Sequence, residues 1–204
     1  LYASAGANVT VVDLSPSMLR LDEREATRRQ LAVRTVQASM DDLSILGDES
    51  FDVVHQPVST CYVPQLLPVY GEVPRVLRSG GLYISQHKQP ATLQAEILPT
   101  GRGYLLSEPY YRSGPLPSVI EGCQHREAGT VEFLHRWQEL IGGMCRAGFV
   151  IEDLVEPRHG DLLAEPLKIG RKDRGADEHR IRCQRLHSSP WGEHWLPRHR
   201  PGDH

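Results

Sequence analysis

The chain has 204 residues, enough for one domain with a substantial core and short for two. Its 23 basic and 26 acidic side chains leave a formal charge of −3, which gives no electrostatic reason to expect a nucleic-acid or anionic-membrane partner and favours small-molecule chemistry. No apolar run approaches the ~20 residues that a bilayer span requires, and no charged-then-apolar leader opens the chain, so it reads as soluble and cytoplasmic.

The first residues, Leu1 to Ala7, look like the last turn of a helix closing on Gly6, a normal junction before a strand. Val9, Val11 and Val12 then form a β-branched apolar run of the kind a sheet covered on both faces needs, and Asp13 stands at its carboxyl end. Ser15 is placed to cap the next helix and Pro16 fits its first position, where no amide donor is needed. In open α/β sheets ligands bind beyond the carboxyl ends of the strands, where an acid accepts ribose hydroxyls. The plainer reading is that Asp13 only ends a strand and starts a turn.

The helix from Ser15 to Gln30 has an apolar edge (Met18, Leu19, Leu21, Ala26) and a solvated face on which acids precede Arg28 and Arg29. Val33 to Gln37 is a second strand, with the polar loop Ala38 to Leu43 at its carboxyl end beside Asp13. Phe51 to His55 is a third strand, announced by Gly47 to Ser50. Leu66, Leu67, Tyr70, Val73 and Leu77 recur at helical spacing and Gly80-Gly81 supplies a stop, although Pro74 should kink that helix or remove one bond. Leu82 to Ser85 reads as a fourth strand.

Pro90 to Gly129 is too broken by Pro and Gly for a core element and too long for an ordinary connection, which suits a lid over a site. Thr130 is placed to cap a helix with Val131, Leu134, Trp137, Ile141 and Met144 on its inner face and Gly148 as its stop, and Phe149 to Val155 is a fifth strand. Alternating strands and helices define an α/β fold with a mainly parallel sheet. Past residue 166 the sequence carries five of the ten histidines, many arginines and no sustained period, which reads as an irregular or disordered tail over 167–204. Neither the tail histidines nor the four well-separated cysteines match a metal-ligand spacing, so no metal site is expected and the cysteines read as reduced thiols.

Laid out in this order, the chain resembles a class I S-adenosylmethionine-dependent methyltransferase. Val-Thr-Val-Val-Asp-Leu-Ser-Pro-Ser-Met-Leu resembles the family's second strand with its ribose-binding acid, and Gln-Ala-Ser-Met-Asp-Asp-Leu the loop that holds adenine. Ser-Phe-Asp-Val-Val-His resembles the fourth strand, Val-Leu-Arg-Ser-Gly-Gly-Leu-Tyr-Ile-Ser the fifth, and Leu-Ile-Gly-Gly-Met-Cys-Arg-Ala-Gly-Phe-Val-Ile the late helix and sixth strand. The resemblance implies a Rossmann-like, doubly wound domain over 1–166 with a lid at about 90–129. The family's first strand and glycine-rich loop are expected upstream of Leu1 and the last strand is expected to lack a counterpart, as in a fragment or an altered copy.

The resemblance also implies S-adenosylmethionine as cofactor and methyl transfer to a small-molecule acceptor, with the oligomeric state left open. Asp13 would accept the ribose hydroxyls, Leu14 would wall the adenine, and Ser39 and Met40 would meet its amine and ring. His55 and Gln56 would line the methionine end, and Tyr104, Tyr110 and Tyr111 would cover a cationic or aromatic acceptor. Alignment and exclusion of water provide much of the acceleration in methyl transfer, and a base is needed only where the acceptor must lose a proton. His55 and His87 are the candidate bases, against structural or lining roles. The rival readings are a nicotinamide-dependent oxidoreductase, which lacks a Tyr-x-x-x-Lys pair here, and a non-catalytic module that keeps the fold.

Overall fold

The computed structural model describes residues 1–98, 100–119, 126–155 and 178–185, the last as a paired strand. A short 3-10 turn at Ala3–Ala5 closes on Gly6, whose φ of 89° lies in the left-handed region, as the opening residues imply. Strand β1 (Val9–Asp13) follows, then helix α1 (Pro16–Arg28) and strand β2 (Val33–Gln37). β1 and β2 pair in parallel, with Asp13 opposite Gln37. Ser15 occupies the N-cap of α1, but its hydroxyl bonds Ser17 Oγ at 2.7 Å and not a free backbone amide, which corrects the expected side-chain cap.

Strand β3 (Phe51–Gln56), a 3-10 turn at Thr60–Tyr62, helix α2 (Leu67–Val76) and strand β4 (Leu77–Lys88) build the next unit. Pro68 lies in the first turn of α2, where its missing amide costs nothing, and Pro74 lies two residues before the helix ends. The helix stops at Val76, before the glycines. Gly80 and Gly81 instead sit within β4, where the register with β3 slips between Phe51 and Val53. Gly80 has φ of 77°, and a Cβ on Gly81 would come within 2.8 Å of the Arg78 carbonyl oxygen, so the irregularity requires both residues.

After a short helix, α3 (Pro90–Gln94), the chain makes a long excursion before helix α4 (Trp137–Arg146) and strand β5 (Phe149–Val155). The helix expected from Thr130 starts only at Trp137. Residues 131–136 are not helical, because Glu132 is drawn into ion pairs with Lys88 (2.5 Å) and Arg126 (2.7 Å) and because long-range backbone bonds join Leu116 to Glu132 and Phe133 to Cys61. Arg136 is then the N-cap, and the Glu139 carboxylate returns to the Arg136 amide at 2.9 Å as a capping box.

Strand β6 (Glu178–Arg185) corrects the expectation that the last strand has no counterpart. It lies between β4 and β5 and pairs antiparallel to both. A short, heavily charged segment is recruited there by two strand edges that would otherwise stay unpaired. The remainder of the proposed tail, 167–177 and 186–204, lies outside the described residues.

The described strands thus form two groups, β1-β2 and β3-β4-β6-β5, and none of them pairs between β1 and β3. They share a core in which Val36, Leu43, Leu46 and Val76 are buried with Val12, Ala38, Phe51 and Val54 against them. A larger core joins α2, β4 and α4 through Val69, Tyr70, Val73, Leu77, Tyr83, Leu140, Met144 and Phe149. A third cluster, Cys61, Leu93, Leu116 and Leu134, seats the excursion on the turn that follows β3.

Candidate active site

β1 and β2 end side by side at Asp13 and Gln37, and Met40 after β2 meets Gln56 at the end of β3, so these strand ends and their following loops carry most of the candidate side chains. The Asp13 carboxylate accepts the Ser15 amide at 2.7 Å through Oδ1, which fixes the side chain by an Asx-type turn. Among the described residues nothing else bonds it, so Oδ2 keeps its lone pairs for a ligand. Leu14 beside it is 67% exposed, and its carbonyl accepts the Gln37 amide at 3.3 Å.

The loop after β2 is drawn tight. The Ser39 hydroxyl donates to the Asp41 carboxylate, so its proton is engaged within the loop. The Asp42 amide donates to the Ser39 carbonyl at 3.1 Å. Helix α2 then clamps the loop. The Glu72 carboxylate accepts the Leu43 amide at 2.7 Å, and Arg75 donates to the Leu43 and Leu46 carbonyls at 2.8 and 2.9 Å and to Asp48 at 2.6 Å. The Arg75 guanidinium, bonded to Glu72, holds the Glu72 carboxyl below the usual carboxylate range, and the same contact raises Arg75. These two residues escape a sequence reading because they look like an ordinary i,i+3 pair on an otherwise apolar helix.

Met40 packs against the larger core, and its sulfur accepts the Gln56 amide at 3.0 Å. Gln56 is buried, and its carbonyl oxygen accepts the Tyr83 hydroxyl. The structure therefore brings Met40 and Gln56 together, but Gln56 is aimed inward. His55 is exposed and meets the Tyr2 ring edge-on at 5.5 Å. His87 has no exposed surface, with Nδ1 bonded to Thr60 Oγ1 and Nε2 to Ser85 Oγ, both at 2.9 Å. A histidine enclosed in this way holds a strand end and does not present a base to solvent.

Of the tyrosines on the excursion, Tyr110 and Tyr111 stand edge to face at 5.5 Å, and the Arg136 guanidinium lies 4.7 Å over the Tyr111 ring. The cation position on that ring is therefore taken by the protein itself. Tyr104 is 46% exposed, on a loop that folds back where the Glu96 amide bonds the Leu105 carbonyl. Burial pushes the Cys61 thiol up to about 12, so it is a packing residue and not a nucleophile. Among the described residues no group of three or more His, Cys, Asp or Glu side chains is placed to hold a metal ion, and no helix is long and apolar enough to cross a membrane.

A parallel α/β arrangement with an acid at the end of β1, and one antiparallel strand between β4 and β5, defines a Rossmann-like α/β fold. The methyltransferase domain family matches residues 1–85. An uncharacterized methyltransferase of Bacillus subtilis, YbaJ, is 38% identical over 168 residues, which cover 80% of this chain and 65% of that protein. A putative S-adenosylmethionine-dependent methyltransferase from Listeria monocytogenes superposes with a TM-score of 0.66 at 19% identity, over 88% of this chain and 80% of that one. One from Mesorhizobium loti superposes with a TM-score of 0.65 at 22% identity, over 87% and 80%. Residues 1–85 match the methyltransferase domain, the fold is the one those solved S-adenosylmethionine-dependent methyltransferases share, and the chain spans 65% of the length of YbaJ. Neither the oxidoreductase nor the non-catalytic reading is favoured by these matches.

Proposed function

We propose that the chain binds S-adenosylmethionine along the rim of β1, β2 and β3 and transfers its methyl group to a small-molecule acceptor. The observation that carries this reading is Asp13. Its carboxylate is oriented through one oxygen by its own turn, while the other is left at the carboxyl end of a parallel strand beside an exposed Leu14. The bound sulfonium supplies an electrophilic methyl group, and the residues around it bind, orient and exclude water.

In this reading Asp13 accepts the ribose hydroxyls and Leu14 covers one adenine face. Ser39 and Met40 meet the adenine edge and ring. His55, exposed at the end of β3, lines the methionine end together with the backbone of Gln56. The excursion carrying Tyr104, Tyr110 and Tyr111 covers the acceptor. With Arg136 already stacked on Tyr111, an aromatic or apolar acceptor suits that cover better than a cationic one. Calorimetry with S-adenosylhomocysteine tests the reading: Asp13→Asn is expected to weaken binding about tenfold or more, by the loss of hydrogen bonds to a charged acceptor. Equal affinity for both proteins, or none for the unmodified chain, sinks it.

A further inference from the structure

Three alternate residues of β4, Tyr83, Ser85 and His87, have no exposed surface, yet each carries a polar group. Their partners show a common design. The Tyr83 hydroxyl donates to the Gln56 carbonyl oxygen, which leaves the Gln56 nitrogen to meet the Met40 sulfur at 3.0 Å. That orientation is the self-consistent one, because a thioether only accepts whereas a phenol donates readily; the reversed amide would set oxygen against sulfur lone pairs. Further along the same strand, Ser85 bonds His87 and His87 bonds Thr60, each at 2.9 Å. One face of β4 thus grips Gln56 and Thr60, the two ends of the segment leaving β3.

The bridge from Gln56 to Met40 also crosses from one strand group to the other. Met40 follows β2, and Gln56 ends β3, and these strands do not belong to one hydrogen-bonded sheet. The adenine-side loop and the methionine-side strand end are consequently set relative to each other by side chains that both trace back to a single phenol. Tyr83 is itself held by its ring, 5.3 Å from that of Phe149, within the larger core.

We propose that Tyr83 is a positioning residue for the cofactor site: acting through Gln56, it fixes the Met40 loop against the end of β3. The proposal rests on the reading of that rim as a cofactor site. It gives Gln56 an inward role in place of side-chain contact with the ligand, and makes His87 a second pin of the same frame.

The test uses the full chain and two variants, Tyr83→Phe, which keeps the ring on Phe149, and Gln56→Leu. Amide exchange at Asp42 and Leu43 is measured in the ligand-free proteins, and calorimetry with S-adenosylhomocysteine follows. Exchange at those two amides is expected to rise about fivefold to tenfold in each variant, the worth of one buried hydrogen bond. Affinity should fall by a similar factor, and the double variant should be no worse than the single ones, because both remove the same chain. Amides of Leu140 to Met144 should be unchanged. Unchanged exchange at Asp42 and Leu43 overturns the proposal. Raised exchange with unaltered affinity overturns its extension to the cofactor. If the unmodified chain binds no S-adenosylhomocysteine, the site reading fails while the exchange data still decide whether Tyr83 positions the loop.

Discussion

The β1–β2 half and the β3–β4–β6–β5 half of the molecule draw their order from different sources. No residue of β1 is fully buried, and α1 buries only Leu19. In the other half Leu77, Tyr83, Ser85 and His87 on β4, with Val69 on α2 and Met144 on α4, have no exposed surface at all. The close approach of α4 to α2 shows how tight that half is, since a Cβ on Gly143 would lie 2.6 Å from the Tyr70 ring. The ribose-binding candidate, Asp13, therefore sits on the thin half, and the loop beside it is held by Gln56, Glu72 and Arg75, which belong to the thick half. Packing fixes one half, whereas polar bridges from that half set the geometry of the other.

The strongest way to break the contrast is to attack the thick half at Glu132, a buried carboxylate paired with both Lys88 and Arg126. Glu132→Ala strands Lys88 and Arg126, whose side chains are 13% and 4% exposed. The loss of one member of a buried ionic group costs about 3–5 kcal/mol, on the order of 10 °C of melting temperature in a domain of this size. A melting curve within a couple of degrees of the parent would show that the excursion is held by its apolar cluster alone. Arg75→Met should cost less, roughly 1–2 kcal/mol for hydrogen bonds shared with solvent-accessible partners, but its effect should be local. Amide exchange is expected to rise from Leu43 to Asp48 and to stay unchanged in β4. Uniform loosening of both halves would mean that Arg75 supports the whole core and not the loop.

The same division explains what the sequence made legible. Strand identity follows from β-branched runs that end on turn residues, so Val9–Asp13, Val33–Gln37, the third strand and Phe149–Val155 all lie where the pattern puts them. Asp13 was readable because a strand end and a helix start are local signals. The Thr130 helix was misplaced because its apolar spacing competes with the pull of Lys88 and Arg126 on Glu132, a contact across 44 residues in the first case. Strand β6 carries only Ile181 and Cys183 as apolar residues at alternate positions, and its place is decided by the edges of β4 and β5, which no local period encodes. Nor does any spacing announce that Gln56 meets Met40, 16 residues away, and Tyr83, 27 away.

The gentlest probe of the comparison is pH, because the bridge between the halves contains the titratable carboxyl of Glu72 on α2. Glu72 lies below its ordinary value of 4.5, chiefly through the Arg75 hydrogen bond and then through the Leu43 amide. A depressed folded value means that the ionised form is the one the fold favours. Its stabilisation is complete above about pH 4.5 and is lost as the pH falls through the lower folded value. Glu139 on α4 is lowered in the same direction, chiefly by the Arg136 hydrogen bond, but caps a helix inside the thick half. Exchange measured from pH 6 down to pH 3 should therefore, once corrected for intrinsic rates, open the amide of Leu43 together with the first turn of α4, while Tyr83 and its neighbours in β4 stay closed. Glu72→Gln separates the two events: it keeps an acceptor for the Leu43 amide but removes that carboxyl's proton linkage, so the Leu43 amide should lose its acid dependence while the α4 turn retains it. If the Leu43 amide of that variant still opens on acidification, its order comes from some group other than the Glu72–Arg75 clamp, and the thin half is less dependent on the thick one than its contacts indicate.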